Sequence, residues 1–245
     1  MAGHSKWANI QHRKGREDAK RGKLFTKLVR EITVAARLGG SDTDSNPRLR
    51  AAVAEAKKNS MPNDNIKRAI DKATGGGDDS NFEETVYEGY GPGGVAVLVE
   101  AMTDNKNRTT PEVRHIFSKC DGNLGEAGSV AWQFTRKGFI LLAKEGLSED
   151  DLTELLLEVG ADDYEDAGDH WGIYTEAEEL HAVREALEQN SREPESAKLI
   201  MTPNTEIQVA GETLKKILKL VDMLEDNDDV QNVWNNADFN VDELT

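Results

Sequence analysis

The chain has 245 residues, of which 37% are hydrophobic and 31% are charged, a composition that excludes a disordered chain and is typical of two or three globular domains. No run of about 18 apolar residues occurs, so we expect no membrane span. A single cysteine, Cys120, excludes an intramolecular disulfide framework, and the polar, basic N-terminus does not resemble a signal peptide. These features predict a cytoplasmic protein, and the absence of a heptad pattern predicts a monomer.

The net charge of −16 hides an uneven distribution. Residues 1–74 carry 17 Lys and Arg against 8 Asp and Glu, a net charge of +9, whereas residues 75–245 carry 13 against 38, a net charge of −25. Such asymmetry predicts that the N-terminal part binds an anion, above all nucleic acid. The alternative is that a basic domain packs against an acidic one within the same chain.

Three helices are predicted in the basic part, at 18–38, at 47–59 with Asn46 as N-cap, and from Pro62 to the glycines at 75–77. The first helix has an apolar face formed by Leu24, Phe25, Leu28, Ile32 and Ala36. Its opposite face is a cationic stripe formed by Lys20, Lys23, Lys27 and Arg30. Because the stripe points away from the predicted core, we expect that changing all four cations to Gln leaves folding almost intact and weakens binding.

Strands and helices alternate beyond the glycine linker. The predicted strands are 95–102, 130–134, 139–142, 161–166, 171–174, 197–201, 207–209 and 230–234. Three predicted helices open at Thr110-Pro111, Ser148 and Thr175, and a fourth carries Leu214, Ile217, Leu218, Val221 and Leu224 on its inner face.

The order of these elements predicts two related domains. Residues 138–202 spell strand–helix–strand–strand–helix–strand, the split β-α-β order of a ferredoxin-like domain, and the remainder of 95–236 spells it again. We therefore predict an α+β fold in which an N-terminal three-helix domain precedes two ferredoxin-like α/β domains, one inserted in the other. The predicted domains are 1–77, 78–137 together with 203–245, and the inserted 138–202. The insertion requires that 130–134 and 207–209 share a sheet, and sequential domains are the alternative.

A tryptophan near the N-terminus has Lys and Arg residues before and after it in the sequence, a composition that suits a nucleic-acid-binding arm. An indole can stack on a base while neighbouring Lys and Arg side chains contact phosphates. The candidate contacts in this arm are His4, Lys6, Trp7, Arg13, Lys14 and Arg16. The alternative for Trp7 is a structural role, packed under the third helix.

Two loops are further candidate contacts. The first, at 89–94, includes Tyr90, Gly91, Pro92 and Gly93; it precedes a strand, whereas phosphate-binding glycine loops follow one, so it is not a dinucleotide site. It is either a close-approach surface for RNA or a rigid hairpin turn. The second, at 103–109, carries Lys106 and Arg108 into the start of a helix, where a phosphate could bind, or is an ordinary polar connection.

Patterns that would indicate catalysis or metal binding are not found. The five histidines show no zinc spacing with the single cysteine. The segment that begins at Asp42 imitates a calcium loop, but Pro47 and Val53 replace its required glycine and closing glutamate. We therefore predict a protein with no metal, no cofactor and no enzymatic activity.

Several motifs together resemble those of the YebC/PmpR family of bacterial "probable transcriptional regulatory proteins". They are AGHSKW at 2–7, the basic helix that follows, Met61-Pro62, YEGYGPGG at 87–94 and TDNKNRT at 103–109, where Lys106 replaces an arginine. The mitochondrial translational activator of cytochrome c oxidase is similar to the family. The resemblance covers essentially the whole chain and implies three domains and a cytoplasmic location.

The resemblance implies two competing functions: a DNA-binding transcriptional regulator, and a ribosome-associated RNA-binding factor that relieves translation at difficult peptide sequences. A sequence-specific DNA regulator usually offers base-reading side chains on a recognition helix. Here the cations lie on an arm and a first helix, which suits phosphate binding by shape and favours RNA. The expected partners are DNA or ribosomal RNA, and with the latter the ribosome, but not a membrane. A protein–protein adaptor that binds an acidic partner is a third alternative.

Overall fold

The computed structural model describes residues 17–75 and 82–240, with side chains from Gly22 onward. The helices are α1 (Glu17–Gly39), α2 (Pro47–Lys58), α3 (Asn63–Thr74), α4 (Lys106–Lys119), α5 (Glu149–Val159), α6 (Leu180–Gln189) and α7 (Gly211–Glu225). The strands are β1 (Glu83–Tyr90), β2 (Ala96–Thr103), β3 (Asn123–Leu124), β4 (Phe134–Ala143), β5 (Asp163–Asp166), β6 (His170–Glu176), β7 (Ser196–Pro203), β8 (Ile207–Gln208), β9 (Val230–Asn235) and β10 (Ala237–Asp238). The predicted α+β class, with helices first and β-containing domains after them, is confirmed.

The three N-terminal helices form as predicted because each has local start and stop signals. The Asn46 side chain accepts a hydrogen bond from the Leu49 amide at 3.0 Å and caps α2. The same side chain donates to the carbonyl oxygen of Ala35 at 2.8 Å, so that one amide group joins the end of α1 to the start of α2. The core between the helices includes Leu28, Ile32, Leu49, Ala52, Ala56, Met61, Ile66 and Ala69. Leu24, predicted on the apolar face, is instead 37% exposed.

The first sheet has the strand order β3-β1-β2-β9. Strands β1 and β2 form an antiparallel hairpin that pairs Glu83 with Thr103 and Tyr90 with Ala96. Strand β1 is not among the predicted strands, because EETVYEGY lacks both a clear alternation and a continuous apolar run. Helix α4 also begins earlier than predicted: Asn105 caps it, and Pro111 lies inside it.

The prediction that 130–134 and 207–209 share a sheet is wrong. Residues Ala131–Gln133 form a 3-10 turn, and the following strand, β4, belongs to the second sheet. Strand β8 instead pairs in parallel with β10 in a separate two-stranded sheet. Short apolar runs do not reveal their pairing partners, so the path of the first sheet was not readable from the sequence. The strand pairing therefore does not support the predicted insertion, and the predicted domain boundaries stay predictions.

The second sheet has the antiparallel order β5-β6-β4-β7. With α5 between β4 and β5 and α6 between β6 and β7, this is the sheet order of the ferredoxin-like unit predicted for 138–202. Its core includes Ile140, Leu142, Leu152, Leu156, Trp171, Ile173, Val183 and Leu187.

The chain separates into two compact units. One contains residues 16–129 and 215–233, and therefore holds the three helices together with most of the first sheet and α7. The other contains the second sheet within 130–214, and the last strand, β10. None of the helices within residues 17–75 and 82–240 combines the length and the apolar character that a membrane crossing requires.

Candidate nucleic-acid interface

The predicted arm lies outside the described residues. This applies to His4, Lys6, Trp7, Arg13, Lys14 and Arg16. Lys20 lies in the first turn of α1, and its side chain is likewise outside the described part. Nucleic-acid contact by these residues stays a prediction.

The other three cations of the stripe face the C-terminal end of α7, where backbone carbonyls have no partner within the helix. Lys23 Nζ lies 3.0 Å from the carbonyl oxygen of Asp226 and 2.9 Å from its carboxylate. Lys27 Nζ donates to the carbonyl oxygen of Glu225 at 3.0 Å, and Arg30 Nη1 donates to that of Asp228. Helix α7 has no basic residue in its own last turn. The stripe on α1 supplies the positive charge that stabilises the negative end of the α7 dipole.

Burial of the stripe increases from Lys23 to Arg30. The Lys23 side chain is 40% exposed and its partner Asp226 is 73% exposed, whereas Arg30 is 13% exposed and its partner Asp229 is 4% exposed. Burial is also the main reason that the pKa of Lys27 is lowered from its ordinary value, against the raising effect of Glu225. The Arg30 end is therefore part of the folded interior of this unit, and only the Lys23 end is a surface.

Asp229 is the centre of a buried polar network. Its carboxylate lies 2.8 Å from Arg30 Nη1, 2.7 Å from Arg108 Nη2, and accepts a hydrogen bond from Thr109 at 2.5 Å. A further contact of 3.2 Å comes from the Thr103 hydroxyl. Burial alone would raise the pKa of Asp229, but the hydrogen bonds from Arg108 and Thr109 and the charge of Arg30 hold that pKa below its ordinary value. The network joins α1, β2, α4 and the segment before β9.

Both cations of the second candidate loop are paired within the chain. Arg108 contacts Asp104 at 3.0 Å as well as Asp229, and Lys106 Nζ lies 2.7 Å from a carboxylate oxygen of Glu83. Hydrogen bonding to Glu83 raises the pKa of Lys106, which stays protonated. These contacts favour the ordinary structural connection over a phosphate site, and phosphate binding here stays a prediction.

The glycine-rich candidate loop is a tight turn against α7. A Cβ atom on Gly91 would lie 2.7 Å from Ile217 Cδ1 and 3.1 Å from Leu220 Cδ2, so any side chain at this position would require Ile217 to move. Gly93 has a φ of 73°, Pro92 is buried, and the Tyr90 hydroxyl donates to the carbonyl oxygen of Ser129 at 3.0 Å. The tip at 93–94 is exposed, and its contact with RNA stays a prediction.

Two family models match the chain and together cover nearly all of it. The model described as the TACO1/YebC protein N-terminal domain matches residues 5–76, and the model described as the TACO1/YebC second and third domain matches residues 82–237. The chain belongs to the TACO1/YebC family.

Similar TACO1/YebC proteins are found in several bacteria. A "probable transcriptional regulatory protein" of Geobacter sulfurreducens is 54% identical over 244 residues, which is 100% of this chain and 98% of that protein. One of the same name from Glaesserella parasuis is 55% identical over 240 residues, covering 98% and 97%. A crystal structure of a "conserved hypothetical protein" from Aquifex aeolicus superposes with a TM-score of 0.87 at 50% identity, covering 96% of this chain and 97% of that one.

One cation that the motif set did not single out ties the helical domain of this TACO1/YebC chain to the first sheet. Arg48 Nε lies 2.7 Å from Glu31 of α1, and Arg48 Nη2 lies 2.5 Å from Glu84 of β1. Its pKa is raised, first by the hydrogen bond with Glu31 and also by Glu84. Glu31 is 17 residues away on another helix and Glu84 is 36 residues away, so the spacing in sequence predicts neither contact.

Four exposed cations of the TACO1/YebC N-terminal domain were also missed. They lie at the end of α2 and in the first half of α3: Lys57, Lys58, Lys67 and Arg68. Among the described residues, none of their side chains has a hydrogen-bond or ion-pair partner.

In residues 17–75 and 82–240, no three His, Cys, Asp or Glu side chains come together as metal ligands would.

Proposed function

We propose that this chain is a non-catalytic regulator of gene expression that acts by binding nucleic acid through its N-terminal arm and helical domain. The observation that carries the proposal is the separation of charge: +9 on residues 1–74 against −25 on the remainder. Phosphate binding needs a concentrated positive region, and the acidic remainder repels nucleic acid from the rest of the chain. The relatives named "probable transcriptional regulatory protein" support the same broad role.

A DNA-binding transcriptional regulator is the candidate that the names of the relatives support. Such a regulator inserts a helix into the major groove, where phosphates line both edges. The exposed face of α3 would bring the carboxylates of Asp64 and Asp71 between those phosphates, and much of the stripe on α1 contacts the end of α7. These features do not favour a recognition helix.

An RNA-binding factor, acting in translation and associated with the ribosome, is the candidate that the geometry favours. Structured RNA is bound mainly by shape, through phosphates and 2′-hydroxyl groups, and this requires separate cationic points rather than one inserted helix. Contacts from a basic N-terminal arm and fixed contacts from exposed helix ends suit that mode. A target of this kind would also explain why base-reading side chains are not concentrated on one helix.

The test is a salt titration of binding by the full chain to three probes: an RNA hairpin, a single-stranded RNA and a DNA duplex of equal length. We expect binding that falls steeply with salt, and tighter binding to the RNA hairpin than to the duplex at each salt concentration. The arm variant Arg13→Gln, Lys14→Gln, Arg16→Gln should weaken binding and flatten the salt dependence by roughly two to three units if all three contact phosphates. Failure of the full chain to bind any of the probes above the level of an acidic control protein would contradict the proposal.

Trp7 separates two roles for the arm. If the indole stacks on a base, Trp7→Ala should weaken RNA binding by about 1–3 kcal/mol and leave the thermal melt unchanged. If it packs under the helical domain, the same change should lower the melting temperature and affect binding only through folding. A Trp7→Phe variant is the control, since a phenyl ring retains most of the stacking surface.

A further inference from the structure

We infer that the junction of α2 and α3, with Lys57, Lys58, Lys67 and Arg68, is a fixed binding surface for the phosphate backbone of structured RNA. We call it the α2–α3 corner. The inference rests on the proposed nucleic-acid function and says which part of the described helical domain makes the contact. It moves that contact away from the cationic stripe on α1.

The first support is the fate of five other cations in the described helical domain. Lys23, Lys27 and Arg30 contact the end of α7, and Arg48 contacts Glu31 and Glu84. Arg50 donates to the carbonyl oxygens of Thr43 and Asp44, both at 3.1 Å. These five cations already use donors on contacts within the chain, although Lys23 and Arg50 remain partly exposed, whereas the corner cations are exposed and have no partner among the described residues.

The second support is the rigidity of the backbone that carries the corner. The turn between the helices adopts a left-handed conformation at Ser60, with a φ of 60°. It is closed by hydrogen bonds of 2.9 Å from the Ser60 amide to Lys57 and from the Met61 amide to Ala56. Met61 is 4% exposed and anchors the turn in the core. Cations on a fixed backbone lose less conformational freedom on binding than cations on a mobile segment, so their contacts contribute more to affinity.

The third support is the position of the charges along the helices. Lys57 and Lys58 lie in the last turn of α2, where a cation is stabilised by the helix dipole, and this alone would explain them. Lys67 and Arg68 lie in the first half of α3, about 6–8 Å from its start, where the dipole gives a cation no stabilisation. Each pair consists of neighbouring exposed cations that repel each other, and a bound polyanion removes that repulsion.

The shape of the corner favours RNA over a long DNA duplex. Lysine binds phosphate as a point charge without a fixed orientation, and three of the four cations are lysines. Carboxylates flank the corner at Asp64, in the first turn of α3, and at Asp71, one turn beyond Arg68. They restrict the favourable contact to a short stretch of backbone, as at a bend or the end of an RNA helix, rather than along a continuous groove.

The experiment compares two full-chain variants that each remove four positive charges. The corner variant is Lys57→Gln, Lys58→Gln, Lys67→Gln, Arg68→Gln. The control variant is Arg114→Gln, Lys119→Gln, Arg136→Gln, Lys219→Gln, four exposed cations outside the helical domain. Each protein is titrated with the RNA hairpin and the DNA duplex between 50 and 200 mM salt, on the order of the range over which phosphate contacts weaken strongly. Thermal melts confirm that each variant is folded.

We expect the corner variant to bind the RNA hairpin on the order of tenfold or more weakly at the higher salt concentration, with a salt dependence flatter by roughly two to four units. The control variant should keep most of the affinity and the full salt dependence. If wild type and corner variant bind RNA with the same affinity and slope, the corner is only a solvated surface and the inference fails, while the proposed function stands. Tighter wild-type binding to the duplex, lost in the corner variant, would overturn the assignment to RNA. Failure of the wild type to bind either probe would overturn the proposed function itself.

Discussion

Replacing Arg30 by Gln should destabilise the unit that contains the helical domain and the first sheet. The guanidinium is 13% exposed, and it contacts the carboxylate of Asp229 at 2.8 Å, the carbonyl oxygen of Asp228, and the ring of Phe82 at 5.4 Å from its centroid. Glutamine is too short and too weak a donor to replace these contacts. The change leaves Asp229, which is 4% exposed, with fewer partners.

The magnitude follows from what remains around Asp229. Removing one partner of a buried ion pair typically costs about 3–5 kcal/mol, because the other charge is left buried without compensation. Here Arg108, Thr109 and Thr103 still contact the carboxylate, so the loss should be nearer to that of a hydrogen bond to a charged group. We therefore expect Arg30→Gln to lower the free energy of unfolding of this unit by about 2–3 kcal/mol.

The assay is native-state hydrogen exchange of the full chain, read separately for each unit, because two units need not unfold in one transition. Amides of α1 and α7 that exchange by opening of their unit should exchange on the order of 30 to 150 times faster in Arg30→Gln, the factor that corresponds to about 2–3 kcal/mol. Amides of α5 and α6, in the other unit, are the internal reference. Lys23→Gln is the matched control, since an exposed pair of this kind contributes no more than about 1 kcal/mol.

Equal exchange rates in Arg30→Gln and Lys23→Gln would refute the reasoning, because they would mean that burial of the pair has no energetic consequence. The same result would restore the expectation that the whole stripe can be changed to Gln without loss of folding. A double variant, Arg30→Gln with Asp229→Asn, adds a second test. Its loss should be smaller than the sum of the two single losses, because the groups interact directly.

Two further predictions concern the same unit. Because the pKa of Asp229 is held below its ordinary value of 3.8, its ion pairs stabilise the fold fully above that value, and the stabilisation is lost as the pH falls through the lower, folded-state pKa. The difference in unfolding free energy between wild type and Arg30→Gln should therefore narrow in urea titrations as the pH is lowered below 3.8, and a difference that stays constant there would contradict the network. Gly91→Ala should destabilise by about 1–3 kcal/mol through its clash with Ile217, whereas Gly22→Ala, with open space around it in α1, should stabilise by up to about 1 kcal/mol. Thermal melts compare the two variants with wild type. Equal shifts in melting temperature would show that the turn at Gly91 tolerates a side chain.

Local signals were enough to predict that the helices and the second sheet exist, but not where every helix begins. Thr175, predicted to open a helix, lies in β6, and α6 begins at Leu180. Asn46 and Pro47 are adjacent residues that mark the start of α2. The helical spacing of Leu28 and Ile32 identifies the core face of α1. The order of strands and helices in 138–202 likewise predicted the sheet β5-β6-β4-β7. In each of these cases the decisive residues lie within a few positions of one another, or in consecutive elements.

The motifs around β1 were recognisable, but their roles were not. The glycines at 89–94 identify the family resemblance, yet only the tertiary structure shows Gly91 packed on α7 and the preceding residues paired as a strand. Strand β1 forms because β2 offers it a buried partner, and an eight-residue segment with three glutamates carries no such information alone. The sequence likewise left open whether Arg108 binds a phosphate or only connects two elements. Its contact with the carboxylate of Asp229, which lies 121 residues away, favours the structural role.

The chain by itself determined that four cations share one face of the first helix, because 3.6 residues per turn fix that arrangement wherever the helix lies. What that face contacts was decided only in three dimensions. Lys23 contacts Asp226 across 203 residues of sequence, and one of its two contacts there is a backbone carbonyl, a group that every residue carries and that no motif predicts. Periodicity reports the direction of a side chain relative to its own helix, whereas the exposed end of another helix, with its unpaired carbonyls, exists only once the fold has formed.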